Sequence, residues 1–134
     1  MVERLVANEK VEGSNPFARS ISNMEELYKK KCIAYGGKTT PFDMSEIQKY
    51  LKKVDSWSVK NENNKNYYLE KKFKFKNYIE SQKFINKVAS KAELEGHHPE
   101  IIFGWGYAKI QIYTHAIKGL TESDFILAAK IDKI

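Results

Sequence analysis

Cysteine is almost missing from this chain: Cys32 is the only one in 134 residues. One thiol cannot close an internal disulfide, and without a second there is no paired-cysteine metal or redox motif. A reducing, cytoplasmic setting is therefore expected. Arginine is nearly as scarce, with Arg4 and Arg19 alone, although 23 basic against 17 acidic residues leave a formal charge of +6. Arginine is the usual fork onto phosphates and base edges. The lysines are dispersed instead, at Lys29–Lys31, Lys52–Lys53, Lys71–Lys72, Lys74, Lys87 and Lys91. That pattern reads as a solvated surface and argues against a nucleic-acid interface. No apolar run approaches the roughly 18–20 residues of a membrane span, so no membrane partner is expected. The first residues, Met1-Val-Glu-Arg-Leu-Val-Ala-Asn-Glu, lack the apolar stretch of a secretory leader. Histidine is rare too, and its few copies are gathered: His97, His98 and His115.

Residues 1–23 differ from the rest. They mix charge signs without a period and carry the breaker run Gly13-Ser14-Asn15-Pro16. One frame of GGTTCGAATCC encodes Gly-Ser-Asn-Pro, and that string resembles the T-arm of transfer-RNA genes. The expectation is a non-native or disordered extension over 1–23, with translation starting at Met24, and a single domain over 24–134. The whole chain's 42% hydrophobic and 13% aromatic content is enough for a core.

Within that domain, residues 24–42 read mostly as loop, with Gly36-Gly37 and Pro41. A helix is expected from about Ser45, because Ile47, Tyr50, Leu51 and Val54 share one face. Trp57–Lys60 reads as a short strand and Asn61–Lys65 as a polar turn. Tyr67, Leu69, Phe73 and Phe75 then alternate with polar residues as a half-buried strand. Asn77, with Glu80 three residues on, caps a helix carrying Phe84, Ile85, Val88, Ala89 and Ala92, which Gly96 stops. Ile101–Phe103 and Tyr107–Thr114 form a second hairpin around Gly104-Trp105-Gly106. Thr121 caps a last helix with Phe125, Leu127, Ala128 and Ile131 buried. The order α-β-β-α-β-β-α predicts an α+β fold, a four-stranded antiparallel sheet with three helices packed on one face. If its other face is apolar, oligomerisation would cover it.

The histidines carry the chemistry. His97 and His98 follow the helix stop, where consecutive side chains point to opposite sides, and Pro99 stiffens the exit. His115 ends its strand and approaches the pair if the two hairpins are neighbours. Glu93, one turn before His97, can orient an imidazole or a ligand, and Asp124 lies in the first turn of the last helix, where its charge is favoured. Three readings stay open on these residues: a three-histidine metal site, a metal-free acid–base site, and histidines without chemistry. The spacing lacks His-Glu-x-x-His, and adjacent histidines rarely reach one ion.

The run Glu93-x3-His97-His98-Pro99-x5-Trp105-x9-His115-x8-Asp124 resembles the pattern of the pterin-4a-carbinolamine dehydratases. Trp57, Phe73–Asn77, Val88-Ala89, Gly119–Asp124 and Phe125–Asp132 extend the resemblance, as does the lead of Lys31-Cys32, Gly36-Gly37 and Pro41. It runs from about Met24 to the C-terminus. It implies dehydration of 4a-hydroxytetrahydrobiopterin to quinonoid dihydropterin, with no metal and no cofactor, in homodimers or homotetramers. It implies His97, His98 and His115 as the catalytic set, with His97 and His115 moving protons and His98 positioning substrate or serving as a base. Gly96, Tyr113, Thr114 and Ala116 fall in its substrate-contacting stretches, and Glu93, Trp57 and Asp124 around the pocket. Trp105 is expected to pack. Gly96 stands where the family often has Asp or Asn, and Ala116 where it often has a polar residue.

Overall fold

The computed structural model describes residues 26–134; the expected extension over 1–23 lies outside them. The chain forms α1 (Met44–Leu51), β1 (Ser58–Glu62), β2 (Lys65–Lys74), α2 (Tyr78–Glu95), β3 (Glu100–Gly104), β4 (Tyr107–Ile112) and α3 (Glu122–Asp132). A further helical turn covers 26–29, so the lead is less loop-like than its glycines predict. Buried Leu27 anchors this turn to the core.

The sheet is antiparallel throughout, in the order β1-β2-β4-β3. Each hairpin is therefore a sequence-local pair, and the two are joined along β2 and β4. Strand β1 starts one residue after Trp57 and runs on to Glu62, so the turn contracts to Asn63-Asn64, both at positive φ (53° and 60°). Two such residues match the right-handed twist of the flanking strands.

One sheet face carries Leu69, Ala108, Ile110 and Ile112, all fully buried beneath the helices. The other carries Glu70, Lys72, Lys109 and Gln111 together with Tyr68, Tyr107 and exposed Ile102, a mixed surface of charged, polar and apolar side chains. Helix α1 opens on Asp43, whose side chain accepts from Glu46 N while Glu46 accepts from Asp43 N. Asn77 caps α2 by accepting from Glu80 N at 2.9 Å. Val88 and Ala92 of α2 are buried, but Ala89 faces solvent. Helix α3 is buried along its whole length from Ser123 to Ile131. Such a helix carries no apolar stripe because it has no wet side. None of the described helices is long and apolar enough to cross a membrane.

Candidate functional site

Helix α2 ends on Gly96 at φ 65° and ψ 27°. Gly96 N donates to Glu93 O and His97 N to Ala92 O, each at 3.2 Å. This left-handed stop satisfies the last carbonyls of the helix and turns the chain sharply. The two imidazoles beyond it part company. His97 turns inward, with Nε2 2.6 Å from Asp124 Oδ1. His98 stays exposed, with Nε2 2.8 Å from Glu93 Oε1. The expected divergence is present, and it is His98 rather than His97 that Glu93 holds.

Asp124 is fully buried. Its Oδ2 accepts from Thr114 Oγ1 and Thr121 N, both at 2.8 Å. With a carboxylate as acceptor, His97 Nε2 carries the hydrogen, and in the neutral imidazole Nδ1 is then the acceptor on the other side of the ring. The same carboxylate thus fixes His97 and, through Thr114, the segment that carries His115. Thr114 N also donates to Gly119 O at 2.8 Å, closing a tight turn with His115 and Ala116 at its exposed tip. The His115 ring stacks on Tyr113 with centroids 4.4 Å apart and planes 15° from parallel.

A cavity of about 250 Å³ is lined by Gly96, His97, His98, Tyr113, Thr114 and His115, and by Ala34 and Tyr35 of the lead. The structure thus brings the three histidines to one space. A second, larger hollow of about 440 Å³ on the open sheet face shares Tyr113 and His115 with it. Trp57 is elsewhere: its Nε1 donates to Asp132 at 3.0 Å, at the opposite end of α3 from Asp124. Trp105 is 71% exposed at the β3–β4 tip, not packed as expected. Among the described residues no group of three or more His, Cys, Asp or Glu is arranged to hold a metal ion. Glu93 and Asp124 already occupy the Nε2 atoms of the paired histidines.

Sequence reasoning missed Ala34 and Tyr35, which no local motif marks. It read Thr121 only as a helix cap; the signal for more was the spacing Thr121-x-x-Asp124, a capping box whose acid is also the histidine's partner. Nearby, burial and then the charge of Glu95 push the Cys32 thiol up to about 12, leaving it protonated and inert.

A family model described as Pterin 4 alpha carbinolamine dehydratase matches residues 40–134. A Rubrobacter xylanophilus protein, provisionally named pterin-4-alpha-carbinolamine dehydratase, is 40% identical over 111 residues, covering 83% of this chain and all of that one. A crystal structure titled transcriptional coactivator/pterin dehydratase, from Brucella melitensis, aligns with TM-score 0.62 at 26% identity, over 70% of this chain and 97% of that one. A pterin dehydratase-like protein described as a RuBisCO assembly factor in the alpha-carboxysome aligns with TM-score 0.50 at 29% identity, over 59% of this chain and 88% of that one.

Proposed function

From the premise that this chain belongs to the pterin 4 alpha carbinolamine dehydratase family, we propose that the histidine-lined cavity dehydrates 4a-hydroxytetrahydrobiopterin by acid–base catalysis. The observation that carries this reading is the convergence of three imidazoles on one cavity, with a buried carboxylate behind one of them. The reaction removes hydroxide from C4a and a proton from N5. The C4a–O bond breaks, the N5 lone pair forms the new double bond to C4a, and the products are quinonoid dihydropterin and water. A base near N5 and an acid near the hydroxyl lower both barriers.

His97 suits the base. Its Nδ1 is the free acceptor, and Asp124 stabilises the imidazolium that forms when it takes the proton, as a buried carboxylate does behind other catalytic histidines. His115, exposed at the turn tip, suits the acid, since it regains a proton from water after each turnover. His98, held by Glu93, positions the substrate. Gly96, Tyr113, Thr114 and Ala116 shape the ring's surroundings. No metal or cofactor takes part. The working protein is a cytoplasmic homodimer or homotetramer, its functional unit is 24–134, and its role is recycling of tetrahydrobiopterin.

The test generates the 4a-carbinolamine in situ and follows its dehydration spectrophotometrically. Wild type should accelerate the step, in the presence of chelator as well, and a His98→Ala, His115→Ala double variant should not. A folded wild type without acceleration would transfer the site to another pterin or to binding alone, the kind of role that the RuBisCO assembly factor's description names.

A further inference from the structure

We infer that Tyr35, in the lead outside the residues the family model matches, is a substrate-contacting wall of this site. The inference rests on the pterin reading above and extends it to a segment that the histidine motif does not include.

The lead is held as a strap across the site. Ser123 Oγ accepts from Ile33 N and donates to Ile33 O, both at 2.9 Å. Cys32 N donates to Glu95 Oε1 at 2.9 Å, and Cys32 Sγ reaches Ser123 O at 3.4 Å. Glu95 is held in turn by Lys130, with Nζ 3.4 Å from Oε2. Farther along, a side chain at Gly37 would meet Ala116 O at 3.8 Å. Phe42 N donates to Leu120 O at 2.8 Å.

These anchors are not scattered. Glu95 precedes His97 by two residues, Ser123 adjoins Asp124, and Ala116 follows His115. The strap is therefore bonded to the segments that carry His97 and Asp124, and Gly37 passes near the one that carries His115. Between its anchors it presents Ala34 and Tyr35 to the cavity. Tyr35 is itself half-buried beside that cavity. A half-buried aromatic ring beside a cavity of about 250 Å³ suits a flat, polarisable bicycle. Tyr113, which also lines the cavity, is already covered by His115, which leaves Tyr35 as the lining tyrosine not stacked on a histidine.

The experiment compares wild type, Tyr35→Ala and Tyr35→Phe as full chains, in steady-state dehydration and in fluorescence titration with 7,8-dihydrobiopterin, a stable relative of the product. Tyr35→Ala should raise both KM and the Kd of the probe by about five- to tenfold, with kcat within about twofold. Tyr35→Phe should restore both. The inference is overturned alone if wild type is active and Tyr35→Ala leaves KM and Kd unchanged, or if kcat and melting temperature fall together and Phe does not rescue. A wild type that neither binds the probe nor turns over overturns the pterin reading, and this inference with it.

Discussion

Helix α3 has a carboxylate at each end, and the two ends do different things with it. Asp124 accepts from Thr114, Thr121 and His97. Asp132, about 12 Å farther along the axis, accepts from Asp55 N at 3.1 Å, from Trp57 Nε1 at 3.0 Å and from Lys71 Nζ at 2.8 Å. Both are well supplied with donors, so hydrogen-bond count does not separate them. The partner does. Asp124 faces an imidazole that lines a cavity, whereas Asp132 faces an indole that cannot give up its proton and an ammonium locked beside it. Burial holds the Asp132 carboxyl above the ordinary carboxylate range, with Lys71 working against that shift. One end meets a side chain that can gain or lose a proton near neutral pH; the other is a clasp between the β1 entry, β2 and the helix.

The sharpest break in this comparison is the paired isosteric change. Asp124→Asn should lower kcat by about 10²-fold or more, because the amide can present its N–H to His97 and reverse the tautomer. Asp132→Asn should leave kcat within about twofold and lower the melting temperature instead, which denaturation of the same two variants would show. A melting temperature that falls only for Asp124→Asn, with kcat hit equally in both, would erase the distinction. Next in size, Gly119→Ala should destabilise by about 1–3 kcal/mol in urea unfolding, since its new Cβ would lie 2.7 Å from Pro41 Cβ.

A pH titration of stability sharpens the comparison from outside the helix ends. Glu95 loses solvent on burial, which opposes ionisation, yet the Cys32 N–H and Lys130 together hold its carboxyl below the ordinary 4.5. A depressed carboxylate contributes stability that is present above the unfolded value and lost as pH falls through the folded one. Glu95→Gln should therefore flatten the acid limb below about pH 4.5 while leaving the alkaline limb alone. The smallest effect belongs to the exposed pair: Glu93→Gln, beside His98, should change kcat/KM by less than about tenfold and stability by under about 0.5 kcal/mol.

Much of the fold could be read from local rules. Asn77 with Glu80, Gly96 as a left-handed stop and Thr121 as a cap are each decided within a few residues, and their elements form where expected. The histidine cluster was visible because its residue type is rare. What escaped was long-range. No local pattern separates Trp57 from the histidines, and only the hydrogen bond from its indole, one residue before β1, to the far end of α3 shows that it serves Asp132. The strap's contacts to Glu95 and Ser123 join residues 63 and 90 positions apart, beyond any periodicity. Glu93 was assigned by helical spacing to a neighbourhood that holds both imidazoles, and the left-handed turn at Gly96 decided which one it meets.

A helix with no wet side leaves little room for sequence drift. Along α2, exposed positions such as Gln82, Lys83 and Ala89 alternate with buried Val88 and Ala92, so substitutions should be tolerated in stripes. From Ser123 to Ile131 there are no stripes, since each side chain is enclosed. A saturation library should show α3 as an unbroken band of intolerance, and an evolving population would have to change this helix together with its neighbours.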